Sequence, residues 1–425
     1  MSSNDGVPFD PSSHSHRRFN PLTQSWVLCS PHRTKRPWQG AVEAPQLTTR
    51  PAHDPECYLC PGNTRAGGVK TENYTETFIF ENDFAALVED KVLPPEEGAS
   101  SLFKTEAARG KCYVICFSPR HDLTVAEMSD AEISGVINAW TKLYTQVSTE
   151  YPWLKYIQML NDGLFESSPT RPGLVTLLHP INPCYNPAKR RGLRPLAEAY
   201  AQRTLAVRED PSNVIAAFSQ AYYRKNGLPS LLLSYATTEI EKHATGAEDS
   251  RVTFLGEHFV ALVPFWASWP FETMVIPYKR HISSLAELKP DEAKDLAHTI
   301  GAISRRMDNL LVFPCHLSSS SLKLSRPHRF ECSFGYSMGV YQAPVFRSSS
   351  SAPLAAGEVD WSEYAQLHLG FYPPLLRSST VKKFLVGFEL FAETQRDITP
   401  EQAAKRLRDC EDVHYTQRLK TKKIE

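Results

Sequence analysis

"VICFSPRHDLTVAEMSDAE" (114–132) and "VIPYKRHISSLAELKPDE" (275–292) are two versions of one pattern. Superimposing their Arg-His pairs puts Arg120-His121 on Arg280-His281 and Ala126-Glu127 on Ala286-Glu287, without a gap, 160 residues apart. Upstream, "NDFAALV" (82–88) parallels "EHFVALV" (257–263). Each copy reads as strand, turn, strand, loop, helix. "TETFIF", "KCYVICFS", "FVALVPFW" and "ETMVIP" are short, aromatic and β-branched, with polar turns between them, as strands are. After Ser129, "SDAE" forms a capping box, and Ile133, Val136, Ile137, Trp140, Leu143, Tyr144 and Val147 recur at helical spacing. Leu296, Ala297, Ile300, Ile303, Met307 and Leu310 trace a similar stripe in the second copy. The predicted class is α+β, with two related halves, each an antiparallel sheet with packed helices. A last helix is predicted at "TPEQAAKRL" (399–407), with Thr399 as N-cap, Pro400 at the first helical position and Gln402 completing the box.

The bulk properties agree with a duplicated globular chain. At 425 residues it exceeds one small core, and 47 basic residues balance 47 acidic ones. No global field favours nucleic acid or a membrane surface, and neither is expected as a partner. The N-terminus lacks an apolar signal region, and no apolar run approaches membrane-spanning length. Nine cysteines without a dense framework predict a reduced, cytoplasmic protein, in which C-x-x-C means metal or redox chemistry.

Three stretches can carry chemistry. "DPECYLCPG" (54–62) offers Cys57 and Cys60, half of a four-ligand zinc site, and His121 sits at a turn after a strand as a candidate third ligand. "PHRTKRPWQG" (31–40) groups Arg33, Lys35 and Arg36 before Trp38; guanidinium forks suit phosphate oxygens, and an indole can stack on a base. "RSSTVKKFLVGFELFAETQRD" (377–397) sets Lys383, Glu389 and Gln395 along an apolar strand, where a carboxylate and an amide could read sugar hydroxyls.

Together with "FIFENDFAAL", "CFSPRHDLT", "VPFWASWPFET" and "YPPLLRSSTVKKFLVGFELFAETQRDITPEQAAKRLR", these stretches resemble the galactose-1-phosphate uridylyltransferase family. The likeness covers roughly 12–160, 213–310 and 330–420, and it accounts for the repeat, because that family has two histidine-triad-like halves. It implies uridylyl exchange between UDP-glucose and galactose 1-phosphate through a uridylyl-histidine intermediate, giving glucose 1-phosphate and UDP-galactose. It also implies a homodimer. Carried over, Cys57, Cys60 and His121 match ligands of a structural zinc ion. Arg33, Thr34, Lys35, Arg36, Asn63, Asn82 and Asp83 match positions that hold the nucleotide sugar. Lys383, Phe384, Phe388, Glu389 and Gln395 match the hexose-phosphate segment.

The departures are as informative. In the family, a stretch resembling S-N-x-H-P-H-G-Q supplies the fourth zinc ligand and the nucleophile. Here residues 161–212 form an anomalous segment in place of that catalytic strand, between an N-terminal half (12–160) and a C-terminal half (213–420). Its one His-Pro, His179-Pro180, lacks the second His, and no catalytic residue is assigned. Residues 311–329 interrupt a run that reads "NLFECSFGYSMG" when they are removed, as an unspliced intron or an inserted surface loop would leave it. Tyr341 and Gly370 stand where histidines are usual, leaving His368, so the additional iron site of some members is not expected. The zinc site is expected to be one ligand short. The chain is expected to be impaired, either as a nucleotide-sugar-binding pseudoenzyme or as a mis-spliced product.

Overall fold

The structure is a computed structural model that describes residues 7–22, 25–35, 51–85, 87–89, 110–151, 154–162, 173–180, 231–310, 336–343, 345, 362, 365–372, 395–396, 398–415 and 417. Its strands are β1 (His16–Asn20), β2 (Ser25–Cys29), β3 (Phe78–Glu81), β4 (Lys111–Cys116), β5 (Leu154–Asp162) and β6 (Gly173–Pro180) in the first part of the chain. β7 (Val252–Leu255), β8 (Phe259–Leu262), β9 (Thr273–Pro277), β10 (Ser337–Tyr341), β11 (His368–Tyr372) and β12 (Gln395–Arg396) follow. The helices are α1 (Asp130–Glu150), α2 (Leu231–Ala244), α3 (Pro290–Leu310) and α4 (Pro400–Arg408). Among the described residues no helix is long and apolar enough to cross a membrane.

The repeat is physical. One sheet runs β3-β4-β6-β5-β10-β11-β9-β8-β7, so β3-β4-β6-β5 in one half answers β8-β9-β11-β10 in the other. The halves meet where β5 and β10 pair antiparallel, Met159 opposite Val340, and the two predicted sheets are one continuous sheet. α1 begins at Asp130 and α3 at Pro290, keeping the 160-residue offset. The upstream parallel does not hold in register. β8 is "FVAL", but residues 82–85 follow β3 rather than forming it, and "FIFE" (78–81) takes the place beside β4 that β8 takes beside β9.

Packing explains the helix stripes. All seven predicted apolar positions of α1, and all six of α3, are buried. They join Phe259, Ala261 and Val275 in the main core, while Val260, Leu262, Met274 and Ile276 point the other way, under α2. These strands are therefore covered on both faces, and their alternating residues fill two different apolar layers. Ser129 and Glu132 complete the α1 capping box, and Thr399 and Gln402 complete that of α4.

Of the anomalous segment, the structure describes Asn161, Asp162 and Gly173–Pro180. β6 lies between β4 and β5, in the slot that β11 holds between β9 and β10. The segment thus supplies a paired strand where the sequence pattern suggested only a replacement. The insertion 311–329 lies outside the described residues.

Candidate functional site

The C-x-x-C sits on a compact knuckle built by main-chain turns. The Cys57 amide donates to the Asp54 carbonyl (3.2 Å), the Cys60 amide to the Cys57 carbonyl (3.0 Å) and the Asn63 amide to the Cys60 carbonyl (3.1 Å). The Asn63 side-chain amide donates to the carbonyls of Asp54, Pro55 and Cys57 at 2.9, 3.1 and 2.8 Å. Thr71 Oγ1 donates to the Asn63 carbonyl at 2.7 Å, and Tyr74 donates its phenol to the Leu59 carbonyl at 2.6 Å. Gly62 turns the chain at φ +78°, where a Cβ would lie 2.4 Å from Asn73 Oδ1. Beneath, Leu59, Tyr74 and Cys116 form a small apolar cluster against Cys57, Phe78 and Phe80.

His121 arrives from the end of β4, and its amide donates to the Ala52 carbonyl (2.8 Å), locking this loop to the knuckle. Its Nδ1 lies 3.7 Å from Cys60 Sγ, and ligand atoms of Cys57, Cys60 and His121 all fall within 4.8 Å of one another. A tetrahedral zinc with Zn–S of ~2.3 Å and Zn–N of ~2.05 Å separates sulfur and nitrogen by about 3.6 Å. Two thiols and an imidazole at this spacing fit a zinc-type ion. Among the described residues this is the one such group. Cys60 and His121 are buried, and Cys57 is half-buried.

The register of β6 excludes His179 as the missing ligand. Gly173 pairs with Cys116 and Leu178 with Lys111, so His179 falls beyond the start of β4. At ~3.3 Å per residue, that is about 20 Å along the strand from the end that leads to His121.

The other described candidate residues form two groups, one beside the knuckle and one at the β2–β12 pair of the separate three-stranded sheet. Asn82 and Asp83 close β3 beside the knuckle: Asn82 Oδ1 accepts from the Phe84 amide (3.0 Å), and Asp83 pairs with Arg65 at 3.3 Å. Arg65 stacks over Phe80 at 4.1 Å, tying the knuckle loop to β3. Asn63 has its amide committed to the knuckle carbonyls. Arg33, Thr34 and Lys35 lie in a short 3-10 turn (Pro31–Lys35) directly after β2. Gln395 reaches the same neighbourhood, because β12 pairs with β2 in parallel, Gln395 opposite Leu28, and the Ser30 amide donates to the Arg396 carbonyl at 2.7 Å. The fold therefore brings the predicted phosphate-binding turn beside the end of the hexose-phosphate segment. Arg36, Lys383, Phe384, Phe388 and Glu389 lie outside the described residues.

At the β10–β11 pair, His368 is fully buried, stacks on Tyr341 at 4.9 Å, and places Nδ1 2.9 Å from the Gln366 carbonyl. Burial pushes its pKa down to about 4, so it is neutral at physiological pH. At Gly370 a Cβ would meet Tyr372 Cε2 at 2.9 Å and Tyr341 Cε2 at 3.2 Å. Two tyrosine rings fill the space that a longer side chain at 370 would need.

Sequence reasoning passed over Asp54, Arg65, Thr71 and Tyr74, which hold the knuckle together. Asp54 carried a signal, an acidic residue three positions ahead of Cys57 with proline after it, in a turn-forming pattern. Arg65 carried none, because its partners Phe80 and Asp83 lie in and just after β3.

Comparison with known proteins is extensive. Residues 7–164 match the family model described as galactose-1-phosphate uridyl transferase, N-terminal domain, and residues 216–419 match that of the C-terminal domain. The chain is 40% identical over 412 residues to a galactose-1-phosphate uridylyltransferase of Rattus norvegicus, covering 96% of this chain and 90% of the relative. It is 39% identical over 426 residues to one of Hypocrea jecorina, covering 95% and 97%. Among solved structures, a uridylyltransferase aligns with a TM-score of 0.56 at 22% identity, covering 93% of this chain and 97% of the other. An ADP-glucose phosphorylase from Arabidopsis thaliana, with bound ADP-glucose, aligns with a TM-score of 0.58 at 19% identity, covering 94% and 100%. These two share the fold.

Proposed function

The chain belongs to the galactose-1-phosphate uridylyltransferase family, and from that premise we propose that its site binds a UDP-hexose for uridylyl transfer to a hexose 1-phosphate, with the covalent step impaired. In the full reaction, a histidine nitrogen attacks the α-phosphorus of UDP-glucose. A P–N bond forms, the bond to the β-phosphate oxygen breaks, and glucose 1-phosphate leaves. A phosphate oxygen of galactose 1-phosphate then attacks the same phosphorus, breaking the P–N bond and giving UDP-galactose. This splits one hard displacement into two easier ones.

The residues in hand suit the binding part of this scheme. Arg33 and Lys35 lie on the turn suited to phosphate oxygens, Asn82 and Asp83 lie at the mouth of β3, and Gln395 lies at the hexose-phosphate end. Zinc on Cys57, Cys60 and His121, when bound, supplies a cross-link between the knuckle and the loop after β4. A reducing, cytoplasmic setting keeps both sulfurs available as thiolates.

One observation carries the impaired reading. The strand in the catalytic slot reads "GLVTLLHP", with Gly173 opposite Cys116 and its histidine at the far end. No second histidine follows to attack phosphorus. Loss of a nucleophile in a catalytic constellation usually costs ~10⁴-fold or more in turnover. The test measures UDP-glucose binding by calorimetry and turnover with galactose 1-phosphate on the same full-length preparation. Saturable binding with turnover reduced about 10⁴-fold from that of a relative supports the proposal. Turnover equal to that of a relative removes the impairment, and absence of binding removes the nucleotide-sugar assignment.

A further inference from the structure

The two ring nitrogens of His121 face different groups. Nδ1 lies 3.7 Å from Cys60 Sγ, on the side of the thiols, whereas Nε2 lies 3.8 Å from Asp54 Oδ2. Asp54 is itself held in place. Its Oδ1 accepts from the Glu56 amide at 3.0 Å, which leaves Oδ2 to turn towards the imidazole. Its own amide donates to Cys60 Sγ at 3.3 Å, and its carbonyl accepts from the Asn63 side-chain amide at 2.9 Å. One residue thus touches the sulfur of one ligand and faces the outer nitrogen of another.

We propose that Asp54 is the positioning carboxylate of this metal centre. Its Oδ2 faces His121 Nε2 as a hydrogen-bond acceptor for Nε2–H and so favours the one tautomer that presents an Nδ1 lone pair to the ion. A neutral imidazole carries a single N–H, and an ionised carboxylate is acceptor-only. With a proton on Nε2, on the side of Asp54, Nδ1 faces the sulfurs as a donor of electrons rather than as a competing N–H. Carboxylates behind metal-bound histidines orient the ring and raise its basicity. The main-chain amide of Asp54 also donates to the Cys60 sulfur at 3.3 Å, which fixes that sulfur relative to the same residue. With only three protein ligands among the described residues, such support matters more than in a closed four-ligand site. The gap of 3.8 Å needs a small χ rotation of Asp54 to become a hydrogen bond.

This inference rests on the reading of Cys57, Cys60 and His121 as a zinc site, and the test separates the two. Full-length wild type, Asp54→Asn and Asp54→Glu are titrated with zinc against a chromophoric chelator. The tautomer of His121 is read in wild type by long-range ¹H–¹⁵N correlation on histidine-labelled protein, with His121→Gln to assign the signal. Wild type should bind zinc with His121 as the Nε2–H tautomer. Asp54→Asn should weaken zinc binding ~10- to 100-fold, with Asp54→Glu recovering part of the loss. Failure of wild type to bind zinc would remove the metal reading and this inference with it. Zinc binding by wild type with an Nδ1–H tautomer, or equal affinity in Asp54→Asn, would overturn the role of Asp54 alone. The wild-type tautomer needs no Asp54 variant, so a poorly folded Asp54→Asn or Asp54→Glu leaves that arm of the test intact.

Discussion

Glu272 is 5% exposed, and its Oε2 accepts from the Ser268 amide, the Ser268 hydroxyl and the Trp269 amide. Burial outweighs those hydrogen bonds and pushes its pKa from 4.5 up to about 7. The folded protein therefore holds a proton that the unfolded chain has lost between these two values. Stability falls as pH rises through that window, by ~3 kcal/mol at most for one group. Urea unfolding of wild type and Glu272→Gln at intervals from pH 4 to pH 8 should show the slope in the first and its loss in the second. Residues of this kind were not legible in the sequence, because a carboxyl's environment is made by elements distant in the chain. Cys57 and Cys60 were legible because two thiols at a fixed spacing need no tertiary information to be recognised. His121 was legible only weakly until its motif was read as a whole.

At the scale of elements, local signals were read best. The α1 and α4 caps are written in four consecutive residues each, and the apolar stripes of α1 and α3 follow the helical period. The lateral order of strands was not legible, since pairing depends on partners up to hundreds of residues away. For the same reason "NDFAALV" resembled "EHFVALV" by composition although β3 and β8 are the true equivalents. Helix α4 shows how one element ties distant parts together. Glu401 in its first turn pairs with Arg18 of β1 at 2.7 Å and with Arg251, just ahead of β7, at 2.8 Å. Arg251 also pairs with the buried Glu239 of α2. Burial alone would raise the Glu401 pKa, but the hydrogen bonds and charge of Arg18, with Arg251, hold it at about 2. Its contribution is thus complete above pH 4.5 and is lost as pH falls towards 2. Glu401→Gln should cost ~3 kcal/mol at pH 7, because two nearly buried arginines lose their shared carboxylate. Thr399→Ala should cost about 1 kcal/mol through the cap alone. Equal losses in denaturant midpoints would contradict this ranking.

Across the whole molecule, one sheet carries both halves, and the family resemblance follows it closely except in one slot. The two family-model matches stop at 164 and resume at 216, and β6 lies between those limits. The fold tolerates this because a strand needs only main-chain pairing and apolar residues to fill a place in a sheet. Chemistry is less forgiving, since it requires a particular ring at a particular register. Hence the fold, the zinc-type knuckle and the repeat were legible from sequence, while the occupant of the slot between β4 and β5 was not. We propose that this chain keeps the scaffold of uridylyl transfer without its covalent nucleophile. Intact-protein mass spectrometry after incubation of the full chain with UDP-glucose tests it most directly. The predicted result is an unchanged mass. A stoichiometric gain of one uridylyl group would contradict it, and peptide mapping of that adduct would name the nucleophile.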